Sequence, residues 1–225
     1  IVGESGSGKT TFMRLLNGFI EPDSGDIEIL GNKFGAGSKR SPEITRRIGF
    51  IFQNFNLVER ATVFENVLWG RMSYVNPVYS LLGWFPHRDK LIAWRAISEV
   101  GLSQQINQRA DTLSGGQIQR VAIARVLAQE PEIILADEPV SNLDPSLTDD
   151  VMALLVEVSE NHGVTLLMNL HQTDLAKRFA DRIIGLKGGM KVYDSSDRKL
   201  SGDIPKSIFD HKVQSVKLSY GPNSQ

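Results

Sequence analysis

Two apolar residues, Ile1-Val2, run into a polar stretch rich in glycine, and an apolar face resumes from Thr11 through Leu16. That order predicts the end of a buried strand, a loop and the start of a helix. Asp26-Ile-Glu-Ile-Leu alternates polar with apolar, as a half-exposed strand does, and Gly31-Asn32 turns it. Residues 33–45 read as a Gly/Ser/Lys loop, and Arg47 to Gln53 as a second buried strand that gives way to a loop at Gln53. Thr62 to Met72, Asp89 to Val100 and Leu113 to Gln129 then read as helices, with no strand until Glu132. Between the first two, Ser73 to Arg88 holds two prolines and several aromatics, among them Trp84 and Phe85. It predicts a surface excursion whose aromatics either pack on their own subdomain or form a docking surface.

Strand and helix alternate again after Glu132. Ile133 to Asp137 predicts a buried parallel strand, Pro145 to Asn161 a helix with proline in its first turn, and Val164 to His171 another strand. Asp174 to Ala180 reads as a short helix, and Arg182 to Lys187 as a strand joined through Gly188-Gly189 to Met190-Lys-Val-Tyr. The last thirty residues are polar and weakly patterned. The organisation expected is an α/β core of mainly parallel sheet from residues 1–53 and 131–194, a helical subdomain at 54–130, and a tail at 195–225.

The chain has 225 residues, 41% of them hydrophobic, enough for one compact domain or a core with a subdomain. Lys and Arg number 25 against 26 Asp and Glu, for a net charge of −1, so no overall basic field draws the molecule to nucleic acid or to an acidic membrane. Recognition must therefore be local. The absence of cysteine excludes disulfides and thiolate metal sites. No apolar run approaches the length that spans a bilayer, so any membrane role is expected through another chain. Because the first residues read as the inside of a core strand and no methionine starts them, further strands are expected upstream.

Gly3-Glu4-Ser5-Gly6-Ser7-Gly8-Lys9-Thr10 fits the pattern G-x-x-x-x-G-K-[ST] between a strand and a helix. Glycines let backbone N–H groups turn inward on a triphosphate, and the helix that follows adds its unpaired N–H groups and the positive end of its dipole. Lys9 is expected as a point charge on the β and γ phosphates, with the Thr10 hydroxyl on Mg²⁺. Asp137-Glu138 ends an apolar strand on the side of the sheet where such ligands lie. Asp137 would hold Mg²⁺ directly or through water, and Glu138 would orient and deprotonate a water aimed at the γ-phosphorus. Leu113-Ser114-Gly115-Gly116-Gln117 opens a helix that Ser114 can cap, a second anion cradle in one molecule. One triphosphate does not need two cradles from one chain, so each copy is expected to present this element to the nucleotide held by a partner copy.

In these elements the sequence resembles the nucleotide-binding subunits of ABC transporters. Gly3 to Thr11 is similar to that family's Walker A loop, Gln53 to its Q-loop, Leu113 to Gln117 to its signature, Ile133 to Glu138 to its Walker B with the catalytic glutamate, Ser141 to Asp144 to its D-loop, and His171 to its switch histidine. The resemblance implies a P-loop NTPase core of RecA type with an inserted ABC-type helical subdomain. It implies two copies closing head to tail on two Mg-ATP, with Gln53 and Thr10 touching metal and water and His171 bonding the γ-phosphate. Asn169 to Ala176, Phe179 to Leu186 and Ser80 to Pro86 further resemble the ATPases of bacterial phosphonate importers. Transmembrane permease subunits would then dock near Gln53 and the Trp84-Phe85 region, on the cytoplasmic face of the inner membrane. A periplasmic binding protein would act indirectly, and nucleic acid would not be a partner. The alternative is a soluble ABC-type ATPase working on ribosomes or DNA; the second cassette with a long charged linker, or the long inserted coiled coil, of such proteins does not appear within these residues, and the near-neutral charge argues against binding a phosphate backbone. A P-loop kinase or GTPase would not require the signature. The family's adenine-stacking aromatic and first strands are expected upstream of Ile1.

Overall fold

The computed structural model describes residues 1–38, 40–141 and 143–195, together with Pro205 and Ile208. Along it run α1 (Lys9–Asn17), β1 (Asp26–Ile29), β2 (Asn32–Gly35), α2 (Pro42–Arg46), β3 (Ile48–Ile51), α3 (Val63–Leu68), a 3-10 segment at Trp69–Tyr74, α4 (Pro77–Leu81) and α5 (His87–Glu99). Then come α6 (Gly115–Ala128), β4 (Ile133–Asp137), α7 (Pro145–His162), β5 (Thr165–Asn169), α8 (Thr173–Phe179), β6 (Ile184–Lys187) and β7 (Met190–Asp194).

Strands β3, β4 and β5 lie side by side in parallel. Both faces are covered, which is why they read as apolar runs and not as alternating ones. Successive residues still point to opposite faces. Ile48, Phe50 and Leu135 join one core with Met13 of α1 and with Ile29 and Phe34 of the β1–β2 hairpin. Ile51, Ile134 and Ala136 join the other, with the helices α3, α5, α6 and α7. The strand predicted at the chain start is reduced to Val2, which bridges Leu170 and Gly185 in parallel and so links the β5 side of the sheet to β6. Both its backbone groups are used: its N–H donates to Ile184 at 2.8 Å and its carbonyl accepts from Leu186 at 2.9 Å.

Three expectations are corrected. The segment at 33–45 is not simply a loop, because Lys33, Phe34 and Gly35 pair antiparallel with β1 and Ser41 caps α2, whose Glu43 N–H donates to the Ser41 hydroxyl at 3.2 Å. The helix expected at Thr62–Met72 is α for only six residues and then tightens to 3-10 through Tyr74. The excursion at Ser73–Arg88 contains a short helix, α4, and divides its two neighbouring aromatics: Phe85 is buried at 6% exposure while Trp84 is 71% exposed. Most of the 195–225 tail lies outside the described residues.

A buried ion pair ties the helical subdomain together. Arg71 Nε donates to Asp89 at 2.8 Å, its Nη1 donates to the Ala128 carbonyl at 2.9 Å and to Glu130 at 2.7 Å, and its guanidinium lies 3.9 Å from the centre of the Tyr74 ring. Removing one member of such a pair strands the other charge. Asp89→Leu is expected to lower unfolding stability by about 3 kcal/mol in urea, toward the low end for a broken buried pair because Glu130 remains as a partner. A change within about 0.5 kcal/mol, typical of an ordinary surface position, would show that the pair carries no weight.

Candidate active site

The glycine loop is held open by its backbone. At Gly3 an added Cβ would lie 2.3 Å from the Leu186 carbonyl oxygen and 2.7 Å from the Ser7 hydroxyl, so no side chain fits. Gly8 caps α1 at φ 99, a conformation open to glycine. Ser5 and Gly6 face solvent, Glu4, Gly8 and Thr10 are half-buried, and Thr11 is exposed on α1. Ser7 is 4% exposed and its hydroxyl has no hydrogen-bond partner. Lys9 is equally buried and turns back onto its own loop, donating to the carbonyls of Gly3 at 2.8 Å and Glu4 at 2.9 Å. Burial lowers the Lys9 ammonium below an ordinary lysine, against the pull of the Glu138 and Asp137 carboxylates. A desolvated cation held by neutral carbonyls, an orphaned hydroxyl and the first N–H groups of a helix together form a site short of an anion.

The end of β4 delivers Asp137 to this loop. Its Oδ1 accepts from the Thr10 hydroxyl at 3.1 Å and from Asn169 Nδ2 at 2.7 Å. Asn169 is fully buried, and its position follows from strand register, since it lies opposite Asp137 in the β4–β5 pair. Sequence reasoning took Asn169 as part of an apolar strand. The signal available was an amide in such a run, which needs a partner when buried.

Glu138 stands apart from Asp137 because the backbone twists between them. Its φ of 52 is left-handed, which costs a non-glycine residue on the order of 1–2 kcal/mol. Such strain persists where surrounding contacts hold it. Here Gln53 Nε2 donates to Glu138 Oε2 at 3.0 Å, His171 Nε2 contacts Oε1, and the Ser141 hydroxyl donates to the Glu138 carbonyl at 3.1 Å. A carboxylate only accepts, so the His171 Nε2 carries the hydrogen. Gln53 and His171 come from the loops beyond β3 and β5, the two strands that flank β4. Gln53 is therefore brought to Glu138 and Ser141, and no polar contact joins it to Thr10 or Asp137.

The signature element stands on α6. Ser114 and Gln117 form a reciprocal cap, with Gln117 N–H donating to the serine hydroxyl at 3.4 Å and Ser114 N–H to the Gln117 side chain at 3.0 Å. Ser114 and Gly115 are exposed, and the Ser114 carbonyl accepts the first hydrogen bond of the helix, from the Ile118 N–H at 2.9 Å. Asp144 precedes α7, exposed and without a side-chain capping bond, while Asn142 of the same loop lies outside the described residues. One residue missed from sequence connects the two regions: Arg125, two turns from the end of the cap, donates to the carbonyls of Phe55 at 2.6 Å and Asn56 at 2.7 Å in the loop that follows Gln53.

A strand, glycine loop and helix that pair a buried lysine and a threonine with a strand-end aspartate define a P-loop nucleoside triphosphatase. The profile of the ABC transporter family matches residues 1–141. The phosphonates import ATP-binding protein PhnC 3 of Halalkalibacterium halodurans is 41% identical over 100% of this chain and 88% of its own length. The phosphonates import ATP-binding protein PhnC of Thiobacillus denitrificans is 46% identical over 94% of this chain and 81% of its own. Among solved structures, the dimeric ATP-binding cassette MJ0796 bound to ADP and Pi superposes with a TM-score of 0.71 at 34% identity, covering 86% of this chain and 82% of that one. The ADP conformation of the cassette MJ1267 gives 0.77 at 27% identity over 94% and 84%. The chain belongs to the ABC transporter family. It is an ATPase whose hydrolysis is coupled to transport. No helix among the described residues is long and apolar enough to cross a membrane.

Proposed function

We propose that this protein energises import of phosphonates, or of a related phosphorus oxyanion, by closing as a head-to-tail pair on two ATP molecules. The substrate class comes from the names of its relatives. The pairing is supported by one observation in particular, the room around the signature glycines. A Cβ on Gly115 would sit 3.7 Å from Leu143 and one on Gly116 3.5 Å from Leu147, both ordinary contacts, and neither glycine has positive φ. Both lie in the first turn of α6, in backbone conformations that alanine also adopts. Gly115 is exposed and Gly116 is buried against Leu147, and among the described residues neither position is closed to a Cβ, which fits a helix start kept bare at Gly115 for a ligand on another copy.

In this reading Lys9 leaves the loop carbonyls for the β and γ phosphates, cradled by the backbone of Gly3 to Thr11, including Glu4, Ser5, Gly6, Ser7 and Gly8. Ser114, Gly115, Gly116 and Gln117 of the partner copy cover the γ-phosphate, and Asp144 lines the seam between copies. Glu138 takes a proton from the water whose oxygen forms the new bond to the γ-phosphorus, while the bond to the β–γ bridging oxygen breaks. His171 and Gln53, which grip the two carboxylate oxygens of Glu138, keep it aimed and turn to the γ-phosphate and the water when these are bound.

The Thr10 hydroxyl and Asp137 carboxylate are a hard oxygen pair of the kind Mg²⁺ takes together with phosphates and water. Among the described residues no cluster of three acidic or histidine side chains would hold a metal unaided. Thr10, Asp137 and, on nucleotide binding, Gln53 would hold the ion, which neutralises phosphate charge. Asn169 positions Asp137. Asn169→Leu is expected to raise the Mg²⁺ concentration for half-maximal turnover about 10-fold or more without changing affinity for metal-free ATP. An unchanged Mg²⁺ requirement would remove that role.

In this reading the permease subunits would dock in the groove beside Gln53, about 730 Å³ between the core and the helical subdomain. Phe19, Phe50 and Phe52 cluster there with ring centres 4.6–5.8 Å apart, and Trp69, Met72 and Arg125 also line it. Movement at α6 would reach it through Arg125. The test is reconstitution with the permease and periplasmic binding protein of the same bacterium. ATP turnover should rise when the binding protein carries a phosphonate; an equal rise with an amino acid would contradict the substrate class.

A further inference from the structure

The most exposed large apolar side chains among the described residues lie on α4 and the turn that leads from it to α5. Leu81, Leu82 and Trp84 are 87%, 74% and 71% exposed, and Val78 and Tyr79 lie beside them at 64% and 50%. The excursion is a built feature and not a frayed loop. Asn76 caps α4, accepting from the Val78 N–H at 2.9 Å, the Trp84 N–H donates to the Tyr79 carbonyl at 2.8 Å, and the Tyr79 and Trp84 rings meet edge-on at 5.6 Å. Phe85, buried at 6%, anchors the return of the chain. The backbone therefore spends its turn holding large apolar side chains out in water.

The charge around this knob is one-sided. From Met72 to Ser98 the sequence has a single carboxylate, Asp89, and that group is buried against Arg71. Arg88, Lys90 and Arg95 in the same stretch are all exposed, as is His87. On α5 His87, Leu91 and Trp94 follow at helical spacing with these cations beside them, and Leu91 and Trp94 are 43% and 52% exposed. The near-zero charge of the whole chain hides this segregation. Trp, Tyr and Leu set among Lys and Arg, with the one exposed acid of α5, Glu99, at the far end of the helix against His162, is the chemistry of a surface that meets an anionic bilayer: the rings sit at headgroup level and the cations on lipid phosphates. A protein groove that received this knob would have to supply carboxylates on its rim; an anionic leaflet supplies negative charge over its whole area.

We infer that the α4–α5 excursion rests on an anionic lipid surface, inserting Leu81, Leu82 and Trp84 at the interface while Arg88, Lys90 and Arg95 bind headgroup phosphates. This adds a direct lipid contact to the membrane attachment expected through a permease, and it needs neither nucleotide nor transported substrate.

The test is flotation of the full chain with phosphatidylcholine vesicles, with and without phosphatidylglycerol. Binding is expected to be about 100-fold tighter with the anionic lipid, from three cations near the surface, and to weaken as salt is raised. Joint Leu81→Ser, Leu82→Ser and Trp84→Ser should abolish it, and joint Arg88→Ser, Lys90→Ser and Arg95→Ser should reduce it to the level of neutral vesicles. Basal ATP turnover should stay unchanged in both. Equal binding to the two vesicle types, no binding to either, or undiminished binding of the apolar variant would overturn the inference. So would an apolar variant that floats normally yet fails to co-purify with the permease in detergent, which would assign the knob to a protein groove.

Discussion

Glu138→Gln is expected to cut ATP turnover by about 100- to 10,000-fold, the range that a positioned general base contributes, while leaving nucleotide affinity within a few-fold of the unsubstituted protein. The amide keeps the shape of the carboxylate and still accepts a hydrogen bond from His171 or Gln53, so the strained turn at φ 52 is retained. What it loses is the ability to take a proton. The loss therefore falls on the chemical step and not on binding, so single-turnover hydrolysis and equilibrium nucleotide binding separate the two. Turnover at the normal rate would remove Glu138 as the base.

Lys9→Ala is expected to weaken ATP binding about 100-fold, the worth of losing one strong charge-assisted contact to phosphate. The nucleotide-free fold should survive, because the Lys9 ammonium donates, among the described residues, to the Gly3 and Glu4 carbonyls, and both are backbone groups of a loop. Burial already disfavours its charge, so incoming phosphates are expected to restore the stabilisation that desolvation removes. Titration calorimetry that found unchanged affinity would show that the ammonium stays on the loop carbonyls and never reaches the nucleotide.

The sequence carried the chemistry in short local runs, and those are the parts legible without coordinates. A glycine loop between a strand and a helix, an apolar strand ending in two acids and a serine-glycine pair before a helix each announce themselves within ten residues. The α/β fold with a parallel sheet followed from apolar runs alternating with helices, and β3, β4 and β5 have that form. Short elements escaped. Helix α2 has five residues and buries only Ile44, and α4 buries none, so neither leaves a periodic pattern to read. Long-range polar pairs escaped as well. Gln53 and Glu138 are 85 residues apart and Asn169 and Asp137 are 32 apart, and their meeting depends on strand order and register, which apolar runs do not specify. Trp84 and Phe85 are neighbours with the same chemistry and opposite fates, decided by where the turn after α4 points each ring.

The central claim is that a site for one triphosphate is completed by two molecules, with Lys9, Asp137 and Glu138 from one and Ser114, Gly115 and Gly116 from the other. Sedimentation of the Glu138→Gln protein at saturating Mg-ATP tests it most directly, because slow hydrolysis leaves the closed state populated. A dimer that forms with ATP and reverts to monomer with ADP is the result predicted. A protein that stays monomeric at every concentration with ATP bound would contradict the shared site, whatever the turnover measured.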